Sequence, residues 1–320
     1  MARKHEVVSA GILFADVACE PVDHLPRAGE LVPTPRIQLG LGGCAANVAM
    51  DLARLGIGVG VAGCVGDDPF GRFIAETLAD AGIDTQGVRF VPDRGTAATM
   101  IVNVKNEDRR FISTPGANHV FCDEDIPRAW LDEARVFYVG GYLMLPALET
   151  DAFLATLRRL RSQGVKTVLD VVLMGKRDYW PIIRRFLPQV DYFLPNADEA
   201  EIILGVSDPE EQAKRFRDAG AANVVITSGS HGSLFWGEGG RFRAGVYPVE
   251  FVSGAGAGDA FDAGFIAGLL WGEDAIGCIR WGSALGASCV RAIGTTDSVF
   301  TKEEAVAFMA RHSLAIEEIP

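Results

Sequence analysis

No stretch of this chain approaches the ~18 consecutive apolar residues that a membrane-spanning helix needs, and no C-x-x-C pair occurs among its six cysteines, Cys19, Cys44, Cys64, Cys122, Cys278 and Cys289. The first absence argues against a membrane partner. The second removes the common zinc-site and dithiol patterns, so the cysteines read as small buried residues with free thiols. Five scattered histidines (His5, His24, His119, His231, His312) offer no metal-ligand spacing. There is no G-x-x-x-x-G-K-[ST] phosphate loop and no G-x-S-x-G elbow. Positive charge is scarce as well. With 30 Lys and Arg against 42 Asp and Glu, the formal net charge is −12, which argues against a nucleic-acid partner, because such binding rests on neutralising phosphates. A nucleotide is not excluded, since backbone amides and a helix N-terminus hold phosphates locally. The charged start Met1–Glu6 followed by Val7–Leu13 mimics a secretory leader, but the apolar run soon meets Asp16 and has no convincing small-x-small cleavage site. It reads as a buried first strand, and the protein is expected to be cytoplasmic.

What is present is an ordinary globular composition over 320 residues, 48% hydrophobic and 22% charged. From about Gly58 onward, strand-like and helix-like stretches alternate. Strands are expected at Val59–Val65, Arg135–Val139, Lys166–Val172, Tyr192–Leu194 and Asn223–Thr227. Helices are expected at Asp68–Leu78, Glu149–Arg161, Asp178–Phe186, Ala197–Leu204, Pro209–Ala219, Gly258–Leu270 and Ala275–Ala292. Such alternation implies an α/β architecture, a doubly wound and mainly parallel sheet with helices on both faces. Ligands bind such sheets at the carboxyl ends of the strands. Two segments break the pattern: Glu30–Gly40 is extended and turn-rich, and Thr96–Thr114 reads as a hairpin turning at Asn106-Glu107-Asp108. A small β lid over the site, drawn from about 14–40 and 96–115 within one domain of 1–320, accounts for both.

Four clusters carry chemistry. In Ser253-Gly254-Ala255-Gly256-Ala257-Gly258-Asp259, glycines bring the backbone close to a ligand at a helix start, so that loop amides and the helix dipole converge on one anion. An aspartate among those amides makes sense as a base that takes a proton from a hydroxyl attacking phosphorus; it also fits a plain first-turn acid. Asn196-Ala197-Asp198-Glu199 follows a strand and opens a helix. It reads as a capping box or as groups holding a water-coordinated Mg²⁺. Thr227-Ser228-Gly229-Ser230-His231-Gly232 suits phosphate or ribose contact, or a simple turn. Gly40-Leu41-Gly42-Gly43-Cys44-Ala45-Ala46-Asn47 leads into a helix whose Asn47 could bond substrate hydroxyls, or be merely polar. A fifth pattern, Gly58-Val59-Gly60-Val61-Ala62-Gly63, spells G-x-G-x-x-G, yet follows a helix and interleaves with a strand; the dinucleotide fingerprint needs the opposite order, so a Rossmann dehydrogenase is rejected.

Taken in order over nearly the whole chain, these clusters resemble the PfkB family of carbohydrate kinases, the ribokinase-like family. The resemblance rests on Asp16, on Gly42-Gly43 through Asn47-Val48-Ala49, on Leu55-Gly56, on Val65-Gly66-Asp67-Asp68-Pro69-Phe70-Gly71, on Asn196 to Glu199, on Thr227, Gly229 and Gly232, and on Gly256 to Asp259 with Ala260-Phe261 and Gly264. It implies a Rossmann-like domain with a β lid that often makes a homodimer, and transfer of the ATP γ-phosphoryl group to a sugar or nucleoside hydroxyl. Asp259 is then the base, and the amides of Gly256, Ala257 and Gly258 form the anion hole. Asp16, Gly42, Gly43 and Asn47 bind the acceptor; Asn196, Thr227, Ser228, Gly229 and Gly232 bind ATP; Glu199 serves Mg²⁺ through water.

The chain departs from that pattern in three places. Ser253-Gly254-Ala255 replaces Asp-Thr-Thr, whose carboxylate ligates a monovalent cation in ribokinase, so cation activation is not expected. Asp170-Val171-Val172 lacks the family's Asn. Cys44 stands where ribokinases and some sugar-phosphate kinases carry Lys, which favours a neutral acceptor, while Arg109 and Arg110 in the hairpin keep a phosphorylated one open. The altered flank also motivates a second reading, a non-catalytic ligand-binding or regulatory protein on the same fold.

Overall fold

The run Val7-Val8-Ser9-Ala10 suits a strand covered on both faces, and β1 (Val7–Gly11) is buried along its whole length. The computed structural model describes residues 5–105, 107 and 110–319. The chain continues through β2 (Phe14–Cys19), β3 (Ile37–Gly42), α1 (Cys44–Arg54), β4 (Val59–Gly66), α2 (Pro69–Asp80), β5 (Asp84–Val91), β6 (Ala98–Val102), β7 (Arg110–Thr114), α3 (Arg128–Glu133), β8 (Val136–Gly140) and α4 (Asp151–Ser162). It then forms β9 (Lys166–Leu169), α5 (Trp180–Phe186), β10 (Tyr192–Phe193), α6 (Ala197–Leu204), α7 (Pro209–Asp218), β11 (Val224–Thr227), β12 (Ser233–Gly237), β13 (Gly240–Ala244), α8 (Ala257–Trp271), α9 (Ala275–Cys289), α10 (Lys302–Arg311) and β14 (Ile316–Glu318).

The large sheet runs β14-β13-β12-β11-β10-β9-β8-β1-β4-β5. From β5 to β11 every neighbouring pair is parallel, and β12, β13 and β14 are added antiparallel. Side chains alternate across it: Val7 enters a core shared with α1, α2, α8, α9 and α10, while Val8 and Ala10 enter the opposite core, lined by α3 to α7. The doubly wound expectation holds. A second sheet, β3-β2-β6-β7, takes β3, β6 and β7 from the two segments that broke the alternation and β2 from the chain just after β1. Its β2–β3 and β6–β7 pairs are antiparallel and its β2–β6 pair parallel. The expected hairpin turn at Asn106 and Asp108, and Arg109 beside it, lie outside the described residues.

Some boundaries shift. The strand expected at Lys166–Val172 stops at Leu169, and α5 begins at Trp180. β5 went unrecognised because it is the edge of the sheet: with one flank open, it alternates too loosely to read as a strand. The rejected G-x-G-x-x-G lies as expected, with Gly60 and Gly63 inside β4. A Cβ at Gly60 would sit 2.7 Å from the Trp130 ring, so packing explains that glycine. No helix among the described residues is long and apolar enough to cross a membrane.

Candidate active site

Because β1, β8, β9, β10 and β11 run parallel, the segments leaving them emerge on one side of the sheet. Asp16 lies on β2 beyond β1, Asp170 directly follows β9, Asn196 and Glu199 follow β10, and Thr227 to Gly232 end β11. Asn196 and Thr227 meet in an isolated parallel bridge, so two of the sequence clusters adjoin.

Helix starts set this region apart. Among the described helices of ten or more residues, α2, α4, α7, α9 and α10 each begin on a capping side chain, from Asp68, Thr150, Asp208, Asp274 and Thr301. α1 and α8 begin instead on Gly43 and Gly256, with no side-chain cap. A helix's first turn carries N–H groups with no partner inside the helix, and here no capping side chain covers them. Gly256 has φ 76°, and a Cβ on it would lie 2.2 Å from the Thr295 carbonyl oxygen, so glycine is required there. The Ala257 amide reaches the Gly254 carbonyl only at 3.3 Å. Space beside Gly258 is open. A loop of this kind can take an anion.

The two uncapped starts touch. Asn47 Nδ2 donates to Asp259 Oδ2 at 2.7 Å across 212 residues of sequence. Asn47 Oδ1 lies 3.1 Å from the Thr295 hydroxyl, which is 2.8 Å from the Leu41 carbonyl oxygen. Both ends of the Asn47 amide are therefore hydrogen-bonded within the protein. Asp16 lies opposite Gly40 in the β2–β3 pairing, and its carboxylate fills the space over Gly42: a Cβ there would lie 2.2 Å from Asp16 Oδ2. Asp16, Gly42, Gly43, Asn47 and Asp259 thus form one continuous wall.

At α6 the capping box is complete. Asn196 Oδ1 accepts from the Glu199 amide at 2.8 Å, and Glu199 Oε2 accepts from the Asn196 amide at 2.9 Å. Glu199 nevertheless belongs electrostatically to the site, because burial, followed by the charge of Asp170, raises its pKa.

Three residues complete the site without having been singled out as site residues. Thr295 holds Asn47. Asp170 accepts from the Gly141 amide at 3.1 Å. Cys44, buried at the first position of α1, lies with its sulfur and one carboxylate oxygen each of Asp170 and Asp259 within 4.8 Å of one another. Asp170 carried a sequence signal as the head of Asp170-Val171-Val172, although it was expected inside the strand Lys166–Val172 and instead directly follows β9. The contact made by Thr295 had none.

The electrostatics are one-sided. Burial, then proximity to Asp259, pushes Asp170 up to about 7. Asp16 is pushed up to about 6 by burial, against a Thr99 hydrogen bond and with a further contribution from Asp259. Burial also raises Asp259 itself, against hydrogen bonds from Asn47 and Cys44. Among the described residues, no Lys or Arg forms an ion pair with Asp16, Asp170, Glu199 or Asp259. A cluster of hard oxygen donors with no basic side chain paired to it suits Mg²⁺.

A doubly wound sheet, an uncapped glycine loop opening a helix, a carboxylate in that helix's first turn and a small sheet contributing Asp16 define a ribokinase-like phosphotransferase. The family model for pfkB family carbohydrate kinases matches residues 4–302, and the chain belongs to that family. It is a carbohydrate kinase, transferring phosphoryl from ATP to a hydroxyl of a sugar-like acceptor. It is 32% identical over 291 residues to aminoimidazole riboside kinase of Salmonella typhimurium, covering 86% of this chain and 89% of that one. It is 28% identical over 298 residues to ribokinase of Haemophilus influenzae, covering 90% and 93%. Among solved structures, Arabidopsis thaliana ribokinase complexed with ribose and ATP superposes with a TM-score of 0.83 at 24% identity, covering 97% of this chain and 99% of that one.

Proposed function

We propose that Asp259 is the general base of this kinase, that the amides of Gly256, Ala257 and Gly258 hold the transferring phosphoryl group, and that the acceptor is a neutral polyol such as a sugar or nucleoside. The hydrogen bond from Asn47 to Asp259 carries this reading, because it joins the acceptor wall to the phosphoryl loop at one carboxylate. Asp16 and Asn47 bind acceptor hydroxyls, with Gly42 and Gly43 letting the ring approach the backbone. The hydroxyl that attacks loses its proton to Asp259 as the P–O bond forms, and the bond to the ADP leaving oxygen breaks. Amides at the start of α8 stabilise the equatorial phosphoryl oxygens.

Asn196, Thr227, Ser228, Gly229 and Gly232 border the nucleotide. Glu199, helped by Asp170, would hold Mg²⁺, which offsets the charge that a triphosphate brings to an acidic site. That same acidity disfavours a phosphorylated acceptor. Arg110, the one hairpin arginine described, pairs with Glu107. We further propose that the whole chain acts as one domain in which the small sheet is a lid and a homodimer surface: Ile37, Met100 and Ile112 are each more than half exposed on one face of it, opposite the face that carries Asp16. All six cysteines are free thiols, in keeping with a cytoplasmic setting.

The test is ATP turnover against a panel of pentoses, hexoses, sugar acids and nucleosides, with Asp259→Asn beside the native chain. The variant should lose about 10²–10⁴-fold in kcat and still bind the acceptor. Unchanged turnover with the same acceptor would remove Asp259 from the base role. Nucleotide binding with no turnover on any acceptor would instead support the non-catalytic reading.

A further inference from the structure

Cys44 is not required by the chemistry proposed above, yet its sulfur shares the centre of the site with two carboxylates. Three donors from three separate elements meet there: Cys44 at the start of α1, Asp170 at the end of β9 and Asp259 in the first turn of α8. Their ligand atoms lie within 4.8 Å of one another. Cys44 is 7% exposed and Asp170 9%, so two of the three are held in place by packing, while half-buried Asp259 faces the open side next to Gly258. A single Zn²⁺ with Zn–S of about 2.3 Å and Zn–O of about 2.0–2.2 Å sets its ligands roughly 3.3–3.8 Å apart in a tetrahedron. A contraction of at most about 1.5 Å from the 4.8 Å limit would bring this set to that spacing. Mixed thiolate and carboxylate donors suit a borderline ion such as Zn²⁺ or Co²⁺; Mg²⁺ takes oxygen alone.

We propose that Cys44, Asp170 and Asp259 form an inhibitory site for a thiophilic divalent cation. The ion takes the Cys44 thiolate as a ligand, and the thiol proton leaves to solvent. The metal–sulfur bond forms, no electron is transferred, and the fourth coordination position is left to water. Because Asp259 is then a metal ligand, it no longer accepts the hydroxyl proton, and turnover supported by Mg²⁺ stops. Only the inhibition rests on the base role given to Asp259; the binding itself does not.

Two readouts separate these parts. First, Co²⁺ is titrated into the metal-free protein and followed by near-ultraviolet absorption, with Zn²⁺ affinity measured by calorimetry. A thiolate-to-cobalt charge-transfer band is expected at one equivalent, lost in Cys44→Ser. Zinc affinity should fall in Cys44→Ser and in Asp170→Asn by at least the ~10–100-fold that losing even an outer-shell partner costs. Melting of each metal-free variant checks folding, and Asp170→Asn decides the matter if Cys44→Ser is unfolded. Second, Mg²⁺-supported turnover is measured with rising Zn²⁺, and each variant is compared with itself lacking zinc. Native turnover should fall with zinc occupancy, while Cys44→Ser should need at least tenfold more zinc. Absence of the band, or equal zinc affinity in all three proteins, overturns the site. A Cys44-dependent band with undiminished turnover upholds the site and counts against Asp259 as the base.

Discussion

Two adjacent glycines, Gly42 and Gly43, should respond to alanine in opposite ways. At Gly42 the backbone is of an ordinary kind, since its φ lies outside the left-handed range, and a methyl group would meet the Asp16 carboxylate first, 2.2 Å from Oδ2 and 2.6 Å from Cγ. That carboxylate ends a short side chain and can rotate away. The fold should survive, but Asp16 would leave the acceptor wall. A hydrogen bond to a charged group contributes about 1.5–3 kcal/mol, so losing one should raise the acceptor KM by about 10–150-fold, with KM for ATP little changed. At Gly43, φ is 90° and the methyl group would lie 2.5 Å from the Ile12 carbonyl oxygen and 2.9 Å from the Phe14 nitrogen. Those atoms are backbone and cannot yield. Strain of this kind costs about 1–3 kcal/mol before the collision is counted, so Gly43→Ala should unfold at clearly lower denaturant. The assay is urea unfolding of both variants beside steady-state kinetics with both substrates varied. An unchanged acceptor KM in Gly42→Ala would refute the placing of Asp16 against the acceptor. Equal destabilisation by both variants would refute the distinction between side-chain and backbone contacts.

Three further outcomes are expected. Glu199→Gln keeps a residue that completes a capping box but removes the charge, so thermal stability should hold while the Mg²⁺ needed for half-maximal turnover rises several-fold; Glu199→Ala should lose stability as well, and no change in Mg²⁺ dependence for either would leave Glu199 a cap alone. Asp16 and Asp170 have folded pKa values raised to about 6 and about 7 from 3.8, so the folded state binds the extra protons and stability should fall as pH rises from about 4 through 7; the melting temperature without ligands should be lower at pH 8 than at pH 5.5, with Mg²⁺ narrowing the gap, and a higher value at pH 8 would contradict this. Thr295→Val removes the hydroxyl beside Asn47 Oδ1, and at ~1 kcal/mol for a hydrogen bond should lower kcat/KM by about fivefold with little loss of thermal stability.

Much of this molecule was legible locally. Helix α6 begins at Ala197 because Asn196 and Glu199 form a reciprocal cap three residues apart, and such a signal is written in adjacent letters. The order of glycine-rich turns after strands likewise pointed to a doubly wound sheet with a phosphate-binding helix start. Both readings of Asn196 and Glu199 were open at that stage, and the structure shows the cap fully formed beside Thr227.

The sequence alone determined the alternation of strands and helices, the glycine-rich starts of α1 and α8, and the family, because periodicity and turn chemistry act over a few residues. Only the tertiary structure decided what those starts face. Asn47 meets Asp259 across 212 residues and Thr295 across 248, and the Cys44 sulfur comes within 4.8 Å of carboxylate oxygens of Asp170 and Asp259. Nothing in the spacing of these residues announces such encounters. They follow from the parallel sheet, which brings the ends of distant strands to one side and gathers their carboxylates where, among the described residues, no basic side chain pairs with them.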